Sequence, residues 1–287
     1  MSANNLSAVL YKKGDLRLEN YPIKEPGSGE AQIAVQRSGV CGSDVKFWKD
    51  GAIGPFKVTN PILLGHEISG IITKLGKGVT RLKIGDRVAV DPHITCRMCE
   101  FCKSGRYNMC PNTSFLATPP YDGALTRYFV HAADFIFKLP ENVNFDEGAF
   151  VEPLSVGLHA CRRAGVTLGH KLLVTGAGPI GLCVILIAKA LGVTTVCITD
   201  IDASRLEFAK KFGVTHTILV KPGEKEEDLA FKVADLLGVM PDRTIECSGA
   251  EFAVNLGIHA TKQGGQVVLI GAGQSTISFP VLAALTK

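Results

Sequence analysis

Several absences narrow the chemistry of this chain before any motif is considered. No run of basic residues rises above its surroundings, and 31 Lys+Arg against 27 Asp+Glu leave a formal charge of only +4. Neither nucleic acid nor an anionic membrane surface is therefore an expected partner. The N-terminus MSANNLSAVLYKKGD has no basic segment followed by a long apolar one, so secretion is not indicated and a cytoplasmic location is expected. Leu172 to Ala188 is uncharged and mostly apolar, yet it is shorter than the ~20 residues a membrane helix needs and is interrupted by GAGPIG. There is no repeat, charge block or flexible linker. The 31 glycines and 14 prolines stay far below collagen-like or low-complexity levels. What remains is an ordinary water-soluble composition, 46% apolar and 20% charged over 287 residues, with room for two folded units.

The pattern of the chain changes near its middle. Up to about Ala160, short apolar stretches such as AQIAVQRSGVCG, EISGIITKLG and DRVAVDP are broken by turn residues, which predicts a β-rich unit over residues 1–160. From Gly169 onward, KLLVTGAGPIG, TTVCITD, HTILV, RTIECSG and GQVVLIGAG are separated by helix-length segments. That alternation predicts an α/β unit over 161–287 built on a doubly wound parallel sheet. FDEGAFVEPLSVGLHACRRAG has helical spacing and would join the two.

Within the second unit, Lys171 to Thr175 predicts a strand, Gly176, Gly178 and Gly181 form GxGxxG with Pro179 and Ile180 inside it, and a helix follows. The first glycine permits the tight turn, the second lets a pyrophosphate approach the backbone, and the third lets helix and strand pack closely. The helix N-terminus then faces the phosphates. A second strand ends at Asp200, about 20 residues on, where an acidic side chain binds the adenosine ribose. Its carboxylate would repel a 2′-phosphate, so NAD is expected rather than NADP. Arg205 either flanks the adenine ribose or is a solvated charge on a helix face.

Nine cysteines would suit a disulfide scaffold only in a small secreted chain. Four of them stand together as Cys96-x2-Cys99-x2-Cys102-x7-Cys110. Four thiolates make a closed tetrahedral site for structural Zn²⁺, with Lys103 and Arg106 near enough in sequence to offset its negative charge. An iron–sulfur centre opens with the same spacing but closes after three residues rather than seven. Cys161, Cys183, Cys197 and Cys247 lie in apolar contexts as small buried hydrophobes.

A different set carries the catalytic possibility: Cys41 in GVCGSD, His66 and Glu67 in GHE, and Glu152 in VEPLSVG. A thiolate, an imidazole and one or two carboxylates hold Zn²⁺ while leaving a position open for water or an alcohol oxygen. Read singly, each of these residues has a plainer explanation in packing or a satisfied hydrogen bond.

CGSD, GHE, GDRV, the four-cysteine lobe, ATPP, EPLSVGLHACRRAGV and GAGPIG together resemble the zinc-dependent medium-chain dehydrogenases, and among them the polyol dehydrogenases, over nearly the whole chain. The resemblance implies a GroES-like catalytic domain followed by a Rossmann domain. It implies catalytic zinc on Cys41, His66 and Glu67, with Glu152 holding the zinc-bound water or joining the coordination. It also implies nicotinamide contacts from the turn at Ile180, ribose contacts from Asp200 and Arg205, and cofactor contacts from Ile270, Gly271 and Ala272. Phe115 and Thr118 would line the substrate pocket. Ser43 would pass the hydroxyl proton outward, although a turn or cap role explains it equally well. The implied reaction is NAD-dependent oxidation of a polyol secondary alcohol to a ketose, and the family leads one to expect a homodimer or homotetramer.

Three departures from the family pattern stand out. Lys46 and Phe47 occupy the place of His-Tyr, which removes a substrate contact through the tyrosine hydroxyl, and Tyr121 replaces an acidic residue. The sequence stops at Lys287, whereas family members continue for several tens of residues that supply the last Rossmann strand and an Arg-Tyr substrate pair. The expectation is that this polypeptide alone is unstable or inactive. The competing readings are a zinc dehydrogenase for another secondary alcohol, such as xylitol or threonine, and a non-catalytic dinucleotide-binding protein.

Overall fold

The computed structural model describes residues 4–287, so the first three residues of the N-terminal segment lie outside it. The chain forms two compact units, one ending at Glu152 and the other beginning at Pro153. The boundary falls inside the helix Phe145–Arg163, the joining segment expected from FDEGAFVEPLSVGLHACRRAG. Among the described residues no helix is long and apolar enough to cross a membrane.

The first unit is built on a five-stranded antiparallel sheet. Its order is Tyr128–Ala132, Glu30–Gly39, Glu67–Leu75, Arg87–Val90, Ile136–Lys138. Alternate side chains from these strands, among them Ile33, Ile68, Ile72, Val88, Val90, Phe129 and Ile136, close one apolar core, as the period of two requires. Irregularities in pairing between Gln32 and Ile33 and between Val35 and Arg37 set the final register, which brings Gly39 opposite Glu67. A smaller sheet of Asp15–Asn20, Leu6–Lys12 and Ile62–Leu63 packs Leu10, Ile62 and Leu64 around Phe47. The four-cysteine segment is an excursion whose base is closed by the antiparallel pair His93–Ile94 and Ser114–Phe115.

The second unit is a parallel sheet in the order His216–Leu219, Thr195–Asp200, Lys171–Thr175, Arg243–Glu246, Gln266–Leu269. The inner strands Lys171–Thr175 and Thr195–Asp200 are buried along almost their whole length because both faces of the sheet are covered there. Leu172, Val174, Val196, Ile198 and Ile245 point to one face, against Val184, Ile185 and Ala188 of the helix Pro179–Ala190 and against Leu206 and Ala209. Leu173, Cys197 and Ile218 point to the other, against Leu229, Val233 and Leu237 of Glu226–Leu237 and Leu256 and Ala260 of Glu251–Ala260. This is the doubly wound arrangement. The sheet ends on Gln266–Leu269, where Leu269 is exposed, as are Leu282 and Leu285 of the short helix Val281–Leu285.

Candidate functional site

In the first unit, Cys41 precedes the helix Gly42–Asp50 and Glu67 opens the strand Glu67–Leu75. Asp44, buried at 3% exposure, ties these two places together. One of its carboxylate oxygens accepts from the Cys41 N–H at 3.0 Å, and the other accepts from the Gly65 N–H at 2.9 Å. Gly65 has φ +90°, and a Cβ on it would stand 2.8 Å from Leu125, so the turn entering GHE requires glycine. Gly39 is needed for another reason: a Cβ there would stand 1.9 Å from Glu67 Oε2. The Glu67 carboxylate thus lies across a bare backbone.

These constraints bring a Cys41 sulfur, a His66 ring nitrogen and a Glu67 carboxylate oxygen within 4.8 Å of one another. The electrostatics show what the cluster wants. Burial pushes the Cys41 thiol up, against the lowering influence of hydrogen bonds from Ser43. Burial likewise raises the Glu67 carboxyl. Glu152 is pushed up to about 7, by burial first and by Glu67 among other carboxylates, with His66 opposing. His66 Nδ1 is buried and has no hydrogen-bond partner among the described residues. Crowded acidic groups whose ionisation is disfavoured, beside an unsatisfied imidazole nitrogen, fit a cation, which would reverse every one of these penalties. The donor set of sulfur, nitrogen and oxygen suits zinc.

The remaining residues expected at this site fall around it. Ser43 sits in the first turn of Gly42–Asp50 beside Cys41. The Phe115 ring packs edge-on against His66 with centroids 5.3 Å apart, and against His93 at 4.8 Å. Thr118 lies in the turn after it, where its N–H reaches the Phe115 carbonyl at 3.1 Å. Phe47 is buried in the apolar cluster with Leu10 and Leu64, and Tyr121 is exposed at a turn.

The second cluster unites all four cysteines Cys96, Cys99, Cys102 and Cys110. Their sulfurs stand 3.5 Å apart for Cys99–Cys102, 3.5 Å for Cys96–Cys110 and 3.9 Å for Cys96–Cys102. Four sulfurs bonded at about 2.3 Å to one tetrahedral ion would be about 3.8 Å apart, whereas a disulfide would need about 2.05 Å. The spacing fits an ion. Backbone N–H groups of Met98 and Cys99 aim at Cys96 and lower its thiol to about 6, which favours the thiolate a metal requires. Arg97, held by Asp134, is a cation whose charge interacts with Cys102 of the cluster. Arg106 instead stacks on Phe101.

In the second unit the glycine turn follows its strand directly. Gly176 has φ +98°. Gly178 caps the helix Pro179–Ala190, with Pro179 and Ile180 in its first turn, and a Cβ on Gly178 would meet nothing within 4 Å, leaving the helix N-terminus open to a phosphate. A Cβ on Gly181 would stand 2.0 Å from the Gly176 carbonyl oxygen, so the third glycine is a packing requirement. Asp200 ends its strand at 8% exposure and accepts from the Ala177 N–H at 2.7 Å and the Asp202 N–H at 2.9 Å. It therefore also fixes the glycine turn. Arg205 is exposed in the helix Ala203–Ala209, near Asp202. Ile270 and Gly271 follow the strand Gln266–Leu269 and donate their N–H groups to the Glu246 carbonyl, and Ala272 continues the segment.

Sequence reasoning missed Asp44, Gly39, Gly65 and Arg97. The acid three residues after Cys41, at the start of a short helix, was the available signal for Asp44. Nothing local in the sequence marks Gly39.

Comparison with known proteins places both units. A family model described as the alcohol dehydrogenase GroES-like domain matches residues 27–141, and one described as zinc-binding dehydrogenase matches residues 179–287. The chain is 49% identical over 286 residues to a sorbitol dehydrogenase of Gallus gallus, covering 100% of this chain and 80% of that protein. It is 52% identical over 284 residues to a sorbitol dehydrogenase of Homo sapiens, covering 99% and 79%. Among solved structures, an oxidoreductase/dehydrogenase of unknown specificity from Escherichia coli superposes with a TM-score of 0.91 at 34% identity, covering 99% of this chain and 82% of that one.

Proposed function

We propose that this chain, which belongs to the sorbitol dehydrogenase family of zinc-binding medium-chain dehydrogenases, oxidises a secondary hydroxyl of a polyol such as sorbitol to the ketone of a ketose, with NAD as acceptor. The observation that carries this reading is the meeting of Cys41, His66 and Glu67 within 4.8 Å of one another. Those three side chains would hold the zinc, with Glu152, which lies outside the 4.8 Å group but feels the charges of His66 and Glu67, as a second carboxylate near it. When bound, zinc supplies Lewis acidity that lowers the pKa of a substrate hydroxyl, and NAD supplies the ring carbon that accepts hydride.

The chain's own residues do the rest. Ser43 takes the hydroxyl proton and passes it outward. Phe115 and Thr118 wall the substrate and exclude water, and the Phe115 ring fixes the orientation of His66 by packing on it. In the second unit Gly176, Gly178, Pro179, Ile180 and Gly181 receive the pyrophosphate. Asp200 and Arg205 take the adenine ribose, and Ile270, Gly271 and Ala272 lie toward the nicotinamide. The carboxylate of Asp200 disfavours a 2′-phosphate and so selects NAD. Cys96, Cys99, Cys102 and Cys110 hold a second, structural zinc. We assign residues 1–160 to catalysis and metal binding and 161–287 to the cofactor. Keeping five zinc-binding thiols reduced suits a cytoplasmic location, and the family reading favours a homo-oligomer.

Elemental analysis of the purified chain together with polyol-dependent NADH formation tests this. Two zinc ions per chain and turnover of sorbitol are expected on this reading, which would also overturn the expectation that the polypeptide alone is unstable or inactive, with Cys41→Ser and His66→Ala each abolishing turnover. Undiminished NADH formation in either variant would overturn the assignment.

A further inference from the structure

We propose that Glu246 is a positioning residue for the nicotinamide half of the cofactor site: one buried residue that holds two backbone turns, Ser248–Gly249 through its carboxylate and Ile270–Gly271 through its main-chain carbonyl, in the rim that half would rest on. The inference depends on NAD binding as read above, but it concerns residues that reading leaves unused.

The sheet order supplies the location. From Lys171–Thr175 the chain steps outward through Thr195–Asp200 to His216–Leu219, then returns to the other side of Lys171–Thr175 with Arg243–Glu246. A dinucleotide binds outside the carboxyl ends of the strands at this reversal, one mononucleotide to each half of the sheet. Asp200, at the end of a first-half strand, marks the adenosine side. Glu246 ends the first strand of the second half and so stands at the base of the other side.

At that position a glutamate would ordinarily reach solvent, yet Glu246 is 1% exposed and no cation pairs with it among the described salt bridges. Its charge is met by dipoles instead. The Ser248 N–H and hydroxyl both donate to Oε1 at 2.6 Å, and the Gly249 N–H is shared between the two carboxylate oxygens at 2.9 and 3.1 Å. The main-chain carbonyl of the same residue accepts from Ile270 at 2.9 Å and from Gly271 at 3.1 Å. Side chain and backbone of one residue therefore grip two different turns.

Those turns touch backbone to backbone. A Cβ on Gly273 would stand 1.8 Å from the Gly249 oxygen, and one on Gly271 would stand 2.0 Å from the Gly249 nitrogen and 2.7 Å from Glu246 Oε2. Gly249 itself has φ +72°. A Cβ on Gly176, the first glycine of GxGxxG, would lie 3.1 Å from the Ser248 nitrogen. Turns this close leave little side chain to set their spacing; the Glu246 hydrogen bonds hold two of them, and the Gly176 turn packs against Ser248.

The test is binding of NADH and of AMP, which carries only the adenosine half, to the full chain and to Glu246→Gln, Ser248→Ala and Gly249→Ala. In Glu246→Gln an amide replaces one oxygen and sets a donor against the Gly249 donor, so NADH binding is expected to weaken about tenfold with AMP binding unchanged. Ser248→Ala should show the same selectivity with a smaller loss, and Gly249→Ala with a larger one. Unchanged NADH affinity in Glu246→Gln, or an equal loss of NADH and AMP, would overturn the proposal. If Glu246→Gln does not fold, the other two variants decide on the same criterion. Failure of the unaltered chain to bind NADH would instead overturn the cofactor reading itself.

Discussion

Replacing Gly39 by alanine isolates the contribution of one carboxylate position. Gly39 is the last residue of Glu30–Gly39 and pairs with Glu67, and its φ lies outside the left-handed region, so the backbone accepts alanine. The new methyl carbon would fall 1.9 Å from Glu67 Oε2 and 3.0 Å from Glu67 Cβ and Cδ. The oxygen must retreat by roughly 1.5 Å to regain ordinary contact. Rotation about the glutamate side chain makes that retreat cheap for the fold, but it leaves Glu67 Cβ in place, so the strand pair must also give by a few tenths of an ångström and stability should fall by about 1 kcal/mol. Catalysis has no such tolerance, since a misplacement of about 1 Å costs on the order of 100-fold. The expected outcome is a thermal unfolding curve close to that of the unaltered protein, with polyol-dependent NADH formation reduced at least about 100-fold. Zinc content at the Cys41, His66 and Glu67 site should fall in parallel. Normal turnover in a folded Gly39→Ala variant would show that Glu67 does not act where it lies in this structure.

In Gly181→Ala the new carbon meets the Gly176 carbonyl oxygen at 2.0 Å, a backbone atom with nowhere to go; unfolding of the second unit should come earlier by about 1–3 kcal/mol, with NADH affinity lost in calorimetry. Cys102→Ser leaves the other cluster intact, so elemental analysis should find one zinc per chain fewer while Cys41, His66 and Glu67 keep theirs; loss of both ions would show that the clusters are not independent. Asp242 is raised by desolvation, but the Lys171 N–H and the Lys262 ammonium outweigh this and hold its carboxyl below the usual range. Its contribution is therefore present above about pH 4 and lost as pH falls through the depressed value. Asp242→Asn should cost about 1 kcal/mol at neutral pH and flatten the acid limb of a stability curve, measured by denaturant titration at several pH values.

How far the sequence could be read depends on the range over which each feature is encoded. The glycine turn and the cysteine lobe are local. Strand, GxGxxG and helix follow within a few residues, and the Cys-x2-Cys-x2-Cys spacing by itself limits how far apart the sulfurs can lie. The two-unit order was legible for the same reason, because the change from period two to alternating strands and helices happens along the chain. Gly39 and Asp44 belong to a different category. That Gly39 must lack a side chain depends on its pairing with Glu67, which is set by irregularities at Gln32/Ile33 and Val35/Arg37 that no periodicity reveals. Asp44 looks like a helix-start acid, and it is one. Its second oxygen, however, holds Gly65, 21 residues away, and so makes the Cys41 turn and the His66 turn a single rigid body. Glu246 misleads in the opposite direction: a glutamate closing a short strand suggests a solvated end, but its neighbours are glycines that bury it by bringing their own backbones close. In each of the three cases one residue outside the candidate ligands and cofactor contacts fixes the spacing of groups that lie more than 20 residues apart in the sequence.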